Sequence, residues 1–179
     1  MRKNAVLKVA AVTPRVYLAD PARNKEEIIR LAREAAEAGA DIIAFPEMCV
    51  TGATCGDLFR QEILLDAARD AVLSIAGATA DLDATLVVGL PVRAEGGYAS
   101  GAAILREGRC LEEDPRFIVI VGGDIPGELP EGTGLAIQLA ASPEMVTLHD
   151  ARKRRLAQLT YRTGTAVVYC SAGQQINYG

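Results

Sequence analysis

Three stretches of the chain carry residue types suited to chemistry. The first is DIIAFPEMCVTGATCGDLF, residues 41–59, in which Glu47 directly follows an apolar run and Pro46. A carboxylate fixed at a strand end suits general-base work, because apolar neighbours push its pKa toward neutrality. The same placement suits a carboxylate that caps a loop or pairs with an arginine. The second is FIVIVGGDIPGELP, residues 117–130. Strand ends of this kind are where α/β proteins place nucleophiles and ligands. Here the strand delivers Gly122 and Gly123, which have no side chain to react, and then Asp124. An anion nest at Gly-Gly-Asp would rest on the two glycines alone. The third is the run Arg152-Lys153-Arg154-Arg155. On a helix these four residues spread around the cylinder, with Leu156 and Leu159 marking the buried side. That arrangement reads as a solvated face, with ion pairing across a subunit contact as the functional alternative.

The other reactive types are sparse. Cys49, Cys55, Cys110 and Cys170 form no CxxC pair, and His149 is the single histidine. Zinc spacing is therefore absent, and neither a metal nor a cofactor is expected. His149, just ahead of the basic helix, reads as a cap or surface residue. Cys170 falls within a strand and reads as a small buried hydrophobe. Cys110 is in a short loop and is expected to be exposed.

The elements that must position these residues alternate between strands and helices. Val6–Val12 is β-rich and stops at Thr13-Pro14. Asn24 with Glu27 resembles a capping box opening a helix, in which Ile28, Leu31, Ala32, Ala35 and Ala36 recur at helical spacing up to Gly39. Asp41–Glu47 is a short buried strand. A second helix is predicted from about Leu58 to Thr79, with Ile63, Leu64, Ala67, Ala71, Val72 and Ile75 on one side. Thr85–Leu90 is a strand, and a hairpin is centred on Arg106-Glu107-Gly108. Phe117–Val121 is a strand, Leu135–Ala141 a strand or short helix, Asp150–Tyr161 a helix, and Thr165–Ser171 a last strand before a polar tail. The pattern is that of an α/β protein with mixed sheets.

The 179 residues suffice for one domain with a full core. Aromatics make up 4% of the chain and Trp is absent, so the core must be aliphatic. The net charge of -4 argues against general nucleic-acid binding. The opening MRKNAVLKVAAVTP is interrupted by Lys8 and ended by Pro14, which favours a first strand over a signal peptide. No apolar run approaches membrane-spanning length. A cytoplasmic protein with reduced thiols, binding neither nucleic acid nor membrane, is expected.

FPEMCVTGATCGDLF resembles the Glu-bearing motif of the nitrilase, or carbon–nitrogen hydrolase, superfamily. More narrowly it is similar to the glutaminase domain of glutamine-dependent NAD synthetase. VAAVTPRVYLADPARN, LVVGLPVR, ASGAAILREGR and AVVYCSAG agree in order. The resemblance implies an αββα sandwich, here shortened, and a Glu-Lys-Cys triad. In that triad a thiolate attacks an amide carbon, a base moves the proton and a fixed cation steadies the oxyanion. Glu47 matches the family Glu. The segment that should carry the Lys is missing, because Arg109-Cys110 runs through LEEDPR straight into FIVIV. Arg116 is the nearest cation, and Lys153 falls after the Cys strand rather than before it. Aligned on the strand and Asp124, the nucleophile position is occupied by Gly122. The helix expected after it is reduced to PGELPEGTG, which cannot be a stable helix. Cys49 and Cys55 fall where the glutaminase branch already has Cys, so they read as packing or loop residues.

The resemblance therefore implies a single nitrilase-like domain over residues 1–179, with no synthetase domain. The expected role is a degenerate, non-catalytic subunit for self-assembly, scaffolding or regulation. A homo-oligomer is expected, or association with a full-length NAD synthetase or another family subunit. The enzymatic alternative is an amidase or glutaminase that releases ammonia through a rebuilt site, with Glu47 as base and Cys110 or Cys170 as nucleophile. The abrupt junction between Cys110 and Phe117 also fits a shortened version of a larger enzyme.

Overall fold

The computed structural model describes residues 6–141 and 146–172. Alternation along the strands builds the architecture. β1 (Val9–Ala11), β2 (Ile42–Ala44) and β3 (Thr85–Ala94) run parallel, and β4 (Gly97–Arg106) and β5 (Arg109–Leu111) add antiparallel. Ile43, Phe45, Leu86 and Val88 point to one side of this sheet, into a core shared with two helices. Ile42, Ala44, Val87 and Ile104 point to the other side, against a second sheet. That sheet is β6 (Ile118–Val121), β7 (Leu135–Ala140) and β8 (Ala166–Ser171), all parallel. It presents Phe117, Leu135, Ile137, Leu139 and Cys170 to the first. With α1 (Pro21–Glu37) and α2 (Glu62–Ala78) outside one sheet and α3 (Val146–Thr163) outside the other, the layers run α–β–β–α. The first sheet is mixed, as the predicted hairpin requires, and the second is purely parallel.

Several local expectations are corrected. The start of α1 is capped by Asp20, whose side chain accepts from the Arg23 N–H at 3.1 Å, with Pro21 preset for the first turn. Asn24 is not a cap. It is buried inside the helix, where its Oδ1 accepts from the Tyr17 N–H and its Nδ2 donates to the carbonyls of Tyr17 and Val50. On α2 the buried side is Leu64, Leu65, Ala68, Ala71, Val72 and Ile75, while Ile63 is 76% exposed and Ala67 is also exposed. A 3-10 turn at Gly56–Arg60 precedes that helix, which begins at Glu62. Leu135–Ala140 is a strand, and α3 begins at Val146, so His149 lies within it. The polar tail beyond Ala172 lies outside the described residues. No helix is long and apolar enough to cross a membrane among the described residues.

Candidate active site

Glu47 sits just past the C-terminal end of β2, and the backbone there is tightly specified. Met48, the next residue, has φ +56°, a left-handed conformation that disfavours a side chain by about 1–2 kcal/mol. The turn leans directly on β3 at Gly89. A Cβ on Gly89 would lie 2.3 Å from the Pro46 carbonyl oxygen and 2.7 Å from Glu47 Cα, so only glycine lets the two backbones meet. The Gly89 carbonyl then accepts from the Cys49 Sγ at 3.4 Å. Asn24 fixes the same loop through Val50. Neither Gly89 nor Met48 was singled out from sequence. The glycine inside the apolar run LVVGL was the available signal.

The half-buried Glu47 side chain reaches across to the second sheet, where its Oε2 accepts from the Ala141 N–H at 2.9 Å. Ala141 directly follows β7. The register Val121↔Leu139 places Gly122 opposite Ala140, one residue before the amide that Glu47 holds. Glu47 and Gly122 therefore lie at the same end of the sandwich. Gly122 has φ +115°, its N–H donates to the Leu139 carbonyl at 2.8 Å, and a Cβ built on it would meet nothing within 4 Å. The site thus offers one carboxylate, room beside a glycine, and no nucleophile on β6.

The other candidate groups lie elsewhere. Arg116 pairs with Asp114 at 2.6 Å and also donates to the Thr85 hydroxyl. Thr85 pairs with Ile42 at the start of β2, so Arg116 is held at the opposite end of the sheets from Glu47. The guanidinium holds the Asp114 carboxyl below the usual carboxylate range. Lys153 is exposed on α3. Within the basic run Lys153, Arg154 and Arg155 are exposed, but Arg152 lies over the Tyr169 ring at 4.8 Å from its centroid, so the solvated-face reading holds for three of the four.

The cysteines divide by burial. Cys49, Cys55 and Cys170 are buried and Cys110 is exposed. Burial pushes the Cys170 thiol up to about 12, and its Sγ donates to the Ala44 carbonyl at 3.3 Å between the sheets. At neutral pH it stands as the thiol. Cys110 lies on β5, paired with Leu105 of β4 and three strands across from β2, and desolvation raises its thiol as well. Neither thiol makes a hydrogen bond to Glu47 among the described residues. No group of three metal-ligating side chains gathers among the described residues.

The profile of the carbon-nitrogen hydrolase family matches residues 8–118. The chain belongs to that family. It is 36% identical over 110 residues to a glutamine-dependent NAD(+) synthetase of Mycobacterium leprae, covering 62% of this chain and 16% of that protein. The corresponding protein of Mycobacterium tuberculosis is 33% identical over 114 residues, covering 64% of this chain and 17% of its own length. The chain thus spans about a sixth of these relatives. In fold it is similar to the glutamine-dependent NAD(+) synthetase of Cytophaga hutchinsonii, with a TM-score of 0.80 at 18% identity over 93% of this chain and 36% of that one. A mutant amidase from Nesterenkonia sp. in complex with acrylamide gives a TM-score of 0.71 at 20% identity over 96% of this chain and 78% of that one. The nitrilase fold therefore extends over nearly the whole carbon-nitrogen hydrolase chain, whereas the sequence match of the family profile stops within the first residue of β6.

Proposed function

We propose that the chain is a non-catalytic member of its family, derived from a glutaminase domain of the NAD synthetase type and used for assembly. It would associate with itself, or with a complete carbon–nitrogen hydrolase such as a glutamine-dependent NAD synthetase, as a scaffold or regulatory subunit of the cytoplasm. One observation carries the reading. The residue that stands where the family nucleophile is expected is Gly122, and it takes a backbone conformation that side chains avoid. The engagement of Arg116 with Asp114 and Thr85 adds support, since it leaves that cation unavailable to an oxyanion near Glu47.

The competing reading is an amidase or glutaminase with a rebuilt site. It draws on the care with which Glu47 is still positioned, by Gly89 on one side and the Ala141 N–H on the other. Ammonia release from glutamine and simple aliphatic amides separates the two. The expected result is no ammonia above background, from either the native chain or Gly122→Cys, because a thiol alone lacks its cation. Ammonia that disappears in Glu47→Ala would establish the enzymatic reading instead. The assembly itself is tested by sedimentation of the chain alone and mixed with a full-length NAD synthetase. A monomer in both samples would count against it.

A further inference from the structure

The start of α2 carries an apolar side chain that the fold leaves outside. Ile63 is 76% exposed, because the buried stripe of the helix runs through Leu64, Ala68, Val72 and Ile75 instead. Beside it lies a groove of about 270 Å³, where the starts of α1 and α2 and the 3-10 turn at Gly56–Arg60 come together. Ala19 and Pro21 line it from the α1 side, and Leu58, Ile63 and Ala67 from the α2 side. Gln61 is the one polar residue in its lining. The apolar surface continues past the groove. Leu58 is 42% exposed, and Leu18, the neighbour of Ala19, is 46% exposed. Tyr98 is stacked on Phe59 of the 3-10 turn, with ring centroids 4.5 Å apart, and is 41% exposed. Together Leu18, Leu58, Ile63 and Tyr98 expose on the order of 400 Å², a size at which a patch on one chain is often functional.

Two features say what covers this patch. The first is shape. Ile63 projects beside a groove large enough for a side chain of its own size, so one copy carries a knob and a hole next to each other. About a two-fold axis the knob of each copy enters the groove of the other, which is the isologous arrangement. The second is charge. Asp57, Arg60 and Glu62 are exposed on the stretch that borders the groove, and none joins an ion pair among the described residues. That stretch carries both signs and is therefore complementary to itself. Across a two-fold axis Arg60 of one copy would meet the Asp57 and Glu62 carboxylates of the other. The same carboxylates oppose an anionic membrane surface. With its charged rim added, the patch approaches the ~600 Å² per copy that a small reversible dimer buries.

We propose that the groove between the starts of α1 and α2 is the contact through which two copies of this chain form a symmetric dimer. Such a dimer rests on the assembly reading above and gives it a surface. The contact is small, so the dimer is reversible and its population follows protein concentration.

The test is sedimentation velocity of the native chain from about 1 to 300 μM, beside three sets of substitutions on exposed side chains. These are Ile63→Glu, Arg60→Glu, and Asp57→Arg with Glu62→Arg. The native chain is expected to dimerise with a Kd of about 1–100 μM. Ile63→Glu is expected to weaken the dimer roughly tenfold or more, with an unchanged urea midpoint at about 1 μM. Arg60→Glu leaves that stretch wholly acidic and the double variant leaves it wholly basic, so each alone is expected to dimerise more weakly than the native chain. Mixed in equal amounts, these two are expected to pair at least as tightly as the native chain, a recovery that misfolded variants could not give. Dimers that persist in Ile63→Glu, or a mixture that does not pair, overturn this surface and leave the assembly reading standing. A native chain that is monomeric throughout overturns the dimer. If that monomer binds a full-length NAD synthetase, the assembly reading survives without it, and if it binds neither, both fall.

Discussion

Glu47 leaves β2 against the backbone of Gly89 and beneath a core of two helices. Gly122 leaves β6, an edge strand whose residues are all half-buried, into a loop of glycines and prolines. The first region is bounded at Gly89 by an approach that permits only glycine. The second is fixed by backbone bonds to Leu139 and by the Gln138 amide, with Gly122 in a positive-φ conformation and open space where its Cβ would stand. The division follows the sequence comparison, since the family profile covers the Glu47 region and stops before Gly122.

Substitutions can break or sharpen this contrast. The largest effect is expected at Gly89. Gly89→Ala forces a methyl into the Pro46–Glu47 backbone and should destabilise the chain by about 3 kcal/mol, read as a fall in the urea midpoint. A native-like midpoint would mean that the Glu47 turn is not held by that approach. Next comes Asp114→Ala, which leaves Arg116 half-buried without its partner and should cost about 2 kcal/mol at neutral pH. The pH dependence has a definite sign. Because the folded carboxyl is held below its unfolded value of about 3.9, its contribution is present above that pH and is lost as the pH falls through the depressed folded value. The difference between native and variant midpoints should therefore be flat from pH 7 to about pH 5 and shrink in stronger acid. A difference that grows in acid would reverse the assignment. The smallest effect is expected for Glu47→Ala, which gives up the bond to the Ala141 N–H and should cost about 1 kcal/mol. Faster hydrogen exchange at Ala141 would locate the loss, and unchanged exchange there would place the bond outside the solution structure.

Most of the fold was legible because its strands are apolar runs punctuated by Gly and Pro, and the helices keep their 3.6-residue period. The errors have particular causes. Asn24 looked like a cap because its type favours that role locally, but its partners, Tyr17 and Val50, come from other segments. Ile63 looked buried because it is apolar and one turn before Ala67, but the buried stripe is centred on Leu64, Ala68 and Ile75, which leaves Ile63 on the far side. At the site, Glu47 and the Gly122 position were readable from motif and strand end. Gly89, Met48 and Gln138 were not, because a close backbone approach, a left-handed φ and a clamp on the Gly122 and Asp124 carbonyls are all tertiary facts.

The placement of the thiols has a further consequence for how opening of the molecule can be followed. Cys49 belongs to the core beneath α1 and α2, Cys170 to the core between the sheets, and Cys55 to the small cluster around Met48 and Phe59. Cys110 stands exposed. Each packed region thus contains its own silent alkylation site, and the surface supplies an internal reference. Timed thiol labelling with mass detection then resolves which layer breathes first, without adding a probe to the chain.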